Sequence, residues 1–97
     1  MARFDVYLVG DSMVVDVQAN IVDHFATRIV VPLMEAGQSP PALKRLHPRF
    51  EIGGRTLVLA THLLGAVPLV QLKRSDHNLA ARRDEITAAL DMLFQGF

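Results

Sequence analysis

The chain of 97 residues contains no cysteine. That removes disulfide frameworks, thiolate nucleophiles and thiol redox chemistry, and it fits a reducing cytoplasm. Excess charge is absent too. Ten basic side chains balance ten acidic ones, so no global attraction to nucleic acid or to an acidic membrane is expected and any partner is met locally. No apolar run approaches the ~20 residues that a membrane-spanning helix needs. The amino-terminal Met1-Ala2-Arg3-Phe4-Asp5-Val6 lacks the basic-then-apolar layout of a signal peptide. Neither a repeat nor a low-complexity tract occurs. What remains is a soluble, cytoplasmic reading with no membrane partner. The apolar fraction of 51% is ample for a core, and the length predicts one domain over residues 1–97.

The apolar residues that are present fall mainly in strand patterns. Phe4, Val6 and Leu8 alternate with Arg3, Asp5 and Tyr7, the period of two of a strand with one face on a core. Gly10-Asp11-Ser12 turns it, and the β-branched residues of Met13–Gln18 and of Arg28–Leu33 predict two more strands. Ala19–Thr27 has no clear period and reads as a loop carrying Ile21 and Val22. Gly37-Gln38-Ser39-Pro40-Pro41 reads as a second loop, because paired prolines supply no backbone donor. Arg49–Ile52, Gly53-Gly54 and Thr56–Ala60 form the strongest hairpin signal, since two glycines accept the positive φ of a primed turn. Val67–Leu72 reads as a last strand, and Pro32 and Pro68 point to edges or bulges.

Ser75-Asp76-His77-Asn78 offers capping side chains before a helix in which Ile86, Leu90, Leu93 and Phe97 share one face. Asp84 and Glu85 suit the positive end of its dipole. The fold expected is therefore mainly β: an antiparallel β barrel or sheet closed by one C-terminal helix. That helix runs into the chain end through Phe94-Gln95-Gly96-Phe97. Termini usually fray, so large apolar side chains there are either tied back onto the domain or offered to a partner.

Residues able to do chemistry are sparse. His24, His47, His62 and His77 lack ligand spacing and have no cysteine to complete a zinc set, so they read as surface or turn histidines and no metal is expected. Ser12, Ser39 and Ser75 lack a Gly-x-Ser-x-Gly context, and Gly53-Gly54 lies in a hairpin rather than at a helix start. The doublets Lys44-Arg45, Lys73-Arg74 and Arg82-Arg83 have no interleaved aromatics and read as solvated faces, with RNA or DNA contact as the alternative. Asp16 and Glu51 are expected at outward-facing strand positions. No catalytic constellation follows from spacing, so neither an enzyme nor a cofactor is expected.

Several segments, in order, are similar to the CcdB toxin family: Phe4-Asp5-Val6-Tyr7, Val15-Asp16-Val17-Gln18 with Ile21-Val22-Asp23, Ile29-Val30-Val31-Pro32-Leu33, Leu46-His47-Pro48, Ile52-Gly53, Val67-Pro68 and Leu93-Phe94-Gln95-Gly96-Phe97. The resemblance covers nearly the whole chain. It implies a homodimer of SH3-like antiparallel barrels, each with a terminal helix. It further implies a cytosolic toxin of a type II toxin–antitoxin pair, a topoisomerase inhibitor that poisons DNA gyrase through its A subunit and traps the cleaved-DNA complex. Plasmid maintenance and transcription regulation accompany such pairs. An acidic, partly disordered CcdA-like antitoxin is the implied neutraliser, with no direct nucleic-acid binding by the toxin alone.

Carried over by position, the gyrase-facing surface falls on Ile21, Val22, Asp91, Phe94, Gln95, Gly96 and Phe97, and the dimer interface on Leu93 and Phe97. Two departures stand out. The family ends Phe-Trp-Gly-Ile, with the tryptophan stacking on a gyrase arginine, whereas Gln95 stands at that position here. Glutamine has no ring face for a cation, and loss of such an anchor costs about 2 kcal/mol or more. The first hairpin, Gly10-Asp11-Ser12, is also shorter than the family's loop, which reduces any antitoxin contact made there. Three readings follow: a gyrase poison docked through Phe94 or Phe97; a homologue that dimerises and binds its antitoxin without poisoning gyrase; and a MazF-like ribonuclease sharing the barrel, with Arg3, Arg28 or Arg49 on an RNA phosphate.

Leu93 and Phe97 are apolar at helical spacing in a small chain, which predicts cover from a second copy across a two-fold axis. Sedimentation at micromolar concentration should give a dimer; a clean monomer would remove that expectation.

Overall fold

The computed structural model describes residues 2–19, 25–38 and 44–96. Among the described residues, seven strands make one antiparallel sheet: β1 (Asp5–Val9), β2 (Ser12–Asp16), β3 (Thr27–Glu35), β4 (Arg49–Ile52), β5 (Arg55–Leu59), β6 (Gly65–Pro68) and β7 (Lys73–Asn78), followed by the helix α1 (Arg83–Gln95). The order is β4-β5-β3-β2-β1-β7, with β6 also on β3. The nine-residue β3 shapes the sheet. One edge of it pairs with β2 from Val30 to Leu33. Its other edge takes β6 over Thr27–Val30 and β5 over Leu33–Glu35. A strand serving three neighbours forces the sheet to curl, which gives the barrel-like, mainly β fold expected, with one C-terminal helix.

Turn chemistry agrees with the sequence. Gly53 and Gly54 both take positive φ, +59° and +80°, in the two-residue loop between Ile52 and Arg55, as a primed hairpin turn requires. Gly10, at φ +59°, opens the turn between Val9 and Ser12. Pro32 lies inside β3, yet it breaks no ladder with β2. Its carbonyl accepts from the Ala60 N–H at 2.9 Å, so its donorless nitrogen faces the same side, where β3 changes partner from β6 to β5.

The concave face holds the main core: Val6, Val15, Val31, Phe50, Leu57 and Leu59 pack with Ile86, Ala89 and Leu90 of α1. The other face is also covered. Tyr7, Val14 and Val30 are buried there, with Val67 and Leu72 against them. Tyr7 was expected on a wet face and is 3% exposed instead, because the chain leaving β3's far edge folds back over that side. Burial, aided by neighbouring Asp5, pushes its phenol up, and the hydroxyl donates to Asp5 Oδ2 at 3.3 Å.

Two further expectations are corrected. Residues 67–72 do not form one strand: β6 ends at Pro68 and a 3₁₀ turn occupies Leu69–Gln71. The true last strand is β7, whose sequence, Lys-Arg-Ser-Asp-His-Asn, has no apolar period because its side chains face water or the edge. It pairs with β1 from Asp5↔Asn78 to Leu8↔Lys73. Asp16 is not an outward-facing strand residue either. It and Arg28 are both fully buried, with Arg28 Nε donating to Asp16 Oδ2 at 2.8 Å and Nη2 lying 2.7 Å from the same oxygen. Asp16 Oδ1 accepts from the Gln18 N–H, Arg28 Nη2 also donates to the Gln18 carbonyl, and Gln18 Oε1 accepts from the Ile29 N–H. Glu51, by contrast, is exposed as expected and accepts from Thr56 Oγ1.

Burial pushes the Asp16 carboxyl up while Arg28 opposes the shift. Asp16→Ala leaves an uncompensated buried guanidinium and should cost about 3–5 kcal/mol in denaturant unfolding. Combining Asp16→Leu with Arg28→Met should recover most of that loss. A cost under about 1 kcal/mol for the single variant would mean that water reaches the pair.

Candidate interaction site at the end of the C-terminal helix

The helix α1 begins without a side-chain cap of its own. Asn78 instead accepts from the Ala80 N–H at 2.7 Å and starts the 3₁₀ turn Ala80–Arg82 that feeds the helix. Ser75, a candidate cap in the sequence, donates to the Val6 carbonyl at 2.6 Å and so fastens β7 to β1. Asp84 and Glu85 lie in the first turn, where the dipole favours them. At the other end Gly96 adopts φ +81° and its N–H donates to the Met92 carbonyl at 2.9 Å, the left-handed stop for which glycine is suited.

Between those ends the helix divides by face. Ile86, Ala89 and Leu90 are buried and Leu93 is half-buried. Asp91, Phe94 and Gln95, at i, i+3 and i+4, share the side next to Leu90 and are exposed. Phe94 shows 68% of its surface to solvent. Among the residues carried over from the resemblance, Asp91, Phe94, Gln95 and Gly96 are thus gathered at one helix end. Ile21, Val22 and Phe97 lie outside the described residues, as does His24.

The cations considered for RNA divide differently. Arg28 is spent on Asp16 inside the protein. Arg3 donates through Nε to the Val17 carbonyl at 3.0 Å and lies 4.8 Å from the Phe4 ring centre. Arg49 is exposed. Among the described residues, no three histidine, cysteine, aspartate or glutamate side chains come together as a metal site.

His47 lies in the bend before β4, as the turn reading expects, but it is not at the surface. It is 6% exposed, and its Nε2 lies 2.9 Å from His62 Nδ1, with the rings edge to face at 87°. Nothing in the spacing of residues 47 and 62 signals that contact. It arises because the segment before β4 and the 3₁₀ turn Thr61–Leu63 meet, with Thr61 Oγ1 donating to the Leu46 carbonyl. Burial, and then the charge of His62, hold His47 below its ordinary value of 6.5.

The unfolded chain therefore takes up this proton first, so stability is present above the ordinary value and is lost as pH falls through it. The melting temperature should drop between about pH 7.5 and about pH 5.5, and His47→Gln should flatten that slope. An unchanged slope in His47→Gln would place the titration elsewhere.

A family model described as CcdB protein matches residues 3–96 of the chain. The matched span includes the curled sheet, the buried Asp16–Arg28 pair and the whole of α1 with its exposed Phe94. The chain belongs to the CcdB family and is on that ground a toxin of a toxin–antitoxin system.

Proposed function

We propose that this toxin acts by binding rather than by catalysis, docking on the A subunit of DNA gyrase and trapping the cleaved-DNA complex in the cytoplasm. The observation that supports it is Phe94, a ring 68% exposed at the end of the family's C-terminal helix, flanked by exposed Asp91 and Gln95. An exposed aromatic ring beside hydrogen-bonding groups is the composition of an interface anchor, and such anchors carry a large share of binding energy. Ile21, Val22, Gly96 and Phe97 complete the proposed surface. A homodimer, with Leu93 and Phe97 at its interface, would present two copies of it. A CcdA-like antitoxin would neutralise the toxin.

Gln95 favours a second reading, in which the chain folds, dimerises and binds its antitoxin but no longer poisons gyrase. A glutamine offers two hydrogen-bonding groups and no π face for an arginine. The ribonuclease alternative loses Arg28 as an RNA contact, since its guanidinium is fully buried on Asp16.

Titration of purified gyrase A against the chain and against Gln95→Trp separates the two readings. Gln95→Trp should tighten binding by about thirty-fold, the equivalent of an anchor of about 2 kcal/mol. If the unmodified chain already stabilises gyrase–DNA cleavage at the same concentration as the tryptophan variant, the anchor lies elsewhere. If neither protein binds, the non-poisoning reading stands.

A further inference from the structure

The contact between His47 and His62 brings together two imidazoles that the proposed gyrase surface does not use. His47 Nε2 and His62 Nδ1 face each other at 2.9 Å across edge-to-face rings. The two side chains differ in freedom. His47 is buried, whereas His62 is exposed on the 3₁₀ turn Thr61–Leu63. That turn is anchored beneath them, because Thr61 is fully buried and its Oγ1 donates to the Leu46 carbonyl. A neutral pair of imidazoles in hydrogen-bond contact shares one proton, one nitrogen donating and the other accepting. Burial keeps the His47 ring neutral above about pH 7, so its nitrogen is a ligand at the pH of a cell.

We infer that His47 Nε2 and His62 Nδ1 form a two-histidine chelate for a divalent cation of the zinc and copper class, with water in the remaining coordination positions. Imidazole nitrogen suits these metals, and a chain without cysteine offers no thiolate to compete for them. Two nitrogens on one tetrahedral zinc stand about 3.3 Å apart. From 2.9 Å the pair must therefore open by about 0.4 Å, a small rotation of exposed His62 while His47 stays packed. The proton balance closes as well. The ring that donates in the metal-free pair loses that proton to solvent and gains one on its second nitrogen, so above about pH 7 binding releases no net proton. Neighbouring cations do not forbid the site. The cavity of about 540 Å³ between the segment before β4 and the first turn of α1 is lined by His47, Lys44, Arg49, Arg82 and Glu85. Arg82 is engaged there, donating through Nη2 to Glu85 at 2.7 Å and lying 4.6 Å from the Phe50 ring centre. Lys44 and Arg49 are exposed and screened by solvent, and the charge that bears on the His47 proton is that of His62. A bound cation would tie the 3₁₀ turn to the segment before β4 and stabilise the fold by mass action. The inference does not rest on gyrase binding.

The test uses the full chain and zinc alone, with no gyrase present. Calorimetric titration at about pH 7.5 should show one zinc bound per chain, with affinity falling about ten-fold or more by about pH 5.5 as protons compete for the imidazoles. His62→Gln and His47→Gln should each weaken binding by about ten-fold or more, whereas His77→Gln should leave it unchanged. Zinc at about a hundred times its dissociation constant should raise the melting temperature of the unmodified chain by about 5 °C or more, and should not do so in His62→Gln. Imidazole nitrogen NMR of the unmodified chain reads the ligands without any variant, and zinc should shift His47 Nε2 and His62 Nδ1 while leaving His77 in place. No binding at about 1 mM zinc, binding that survives His62→Gln undiminished, or shifts confined to His24 or His77 would each overturn the inference.

Discussion

The buried Asp16–Arg28 pair is the constraint around which the rest is arranged. Both side chains are completely removed from water, and desolvating two charges costs several kcal/mol per ion unless their hydrogen bonds are met. The bonds from Arg28 Nε and Nη2 fix β2 against β3 at the ends of the two strands, while Arg28 Nη1 is buried with no partner among the described residues. Gln18 serves as a hinge between them, with its carbonyl, N–H and side-chain oxygen all engaged. The neighbouring Phe4 depends on the same strand end. Its N–H donates to the Asp16 carbonyl at 2.6 Å and its carbonyl accepts from Leu79 at 2.8 Å. It is also the one non-glycine residue at positive φ among those described, +72°, a conformation that costs a bulky residue about 1–2 kcal/mol. Burial of its ring and two backbone hydrogen bonds offset that strain. Together these contacts join β1, β2, β3 and the approach to α1 at one corner of the sheet.

Where the physics is local, the sequence was readable. The Gly53-Gly54 hairpin, the β-branched strands and the amphipathic helix, with Gly96 beyond its last turn, each follow from a residue's own conformational preference or from periodicity. Where burial is decided by distant segments, it was not. Asp16 sits at a strand position where a carboxylate normally faces water, and only the arrival of Arg28 twelve residues later reverses this. Tyr7 is buried because β6 and Leu72 cover the far face. β7 leaves no apolar trace because an edge strand needs only one partner and is blunted by charge. His47 and His62 meet through a tertiary contact that no spacing rule encodes. The helix-end surface was legible in part: Asp91, Phe94, Gln95 and Gly96 fall where a 3.6-residue period puts them, while the dependence of Arg82, Glu85 and Phe50 on one another was not foreseeable.

The helix α1 thus carries two surfaces of opposite character. Its C-terminal turn offers an exposed ring and neutral or acidic groups; its N-terminal turn forms one wall of a cationic groove. The buried stripe of Ile86, Ala89 and Leu90 locks the helix to the core between them, so the two ends are held in fixed relation.

Amide hydrogen exchange of the chain, alone and saturated with gyrase A, tests the central claim most directly. Protection confined to the C-terminal turn of α1, from Asp91 to Gly96, and to residues 20–25 is the expected result. Protection at β7 or in residues 44–49 with none at the helix end, or no protection in a complex shown to form, would contradict it.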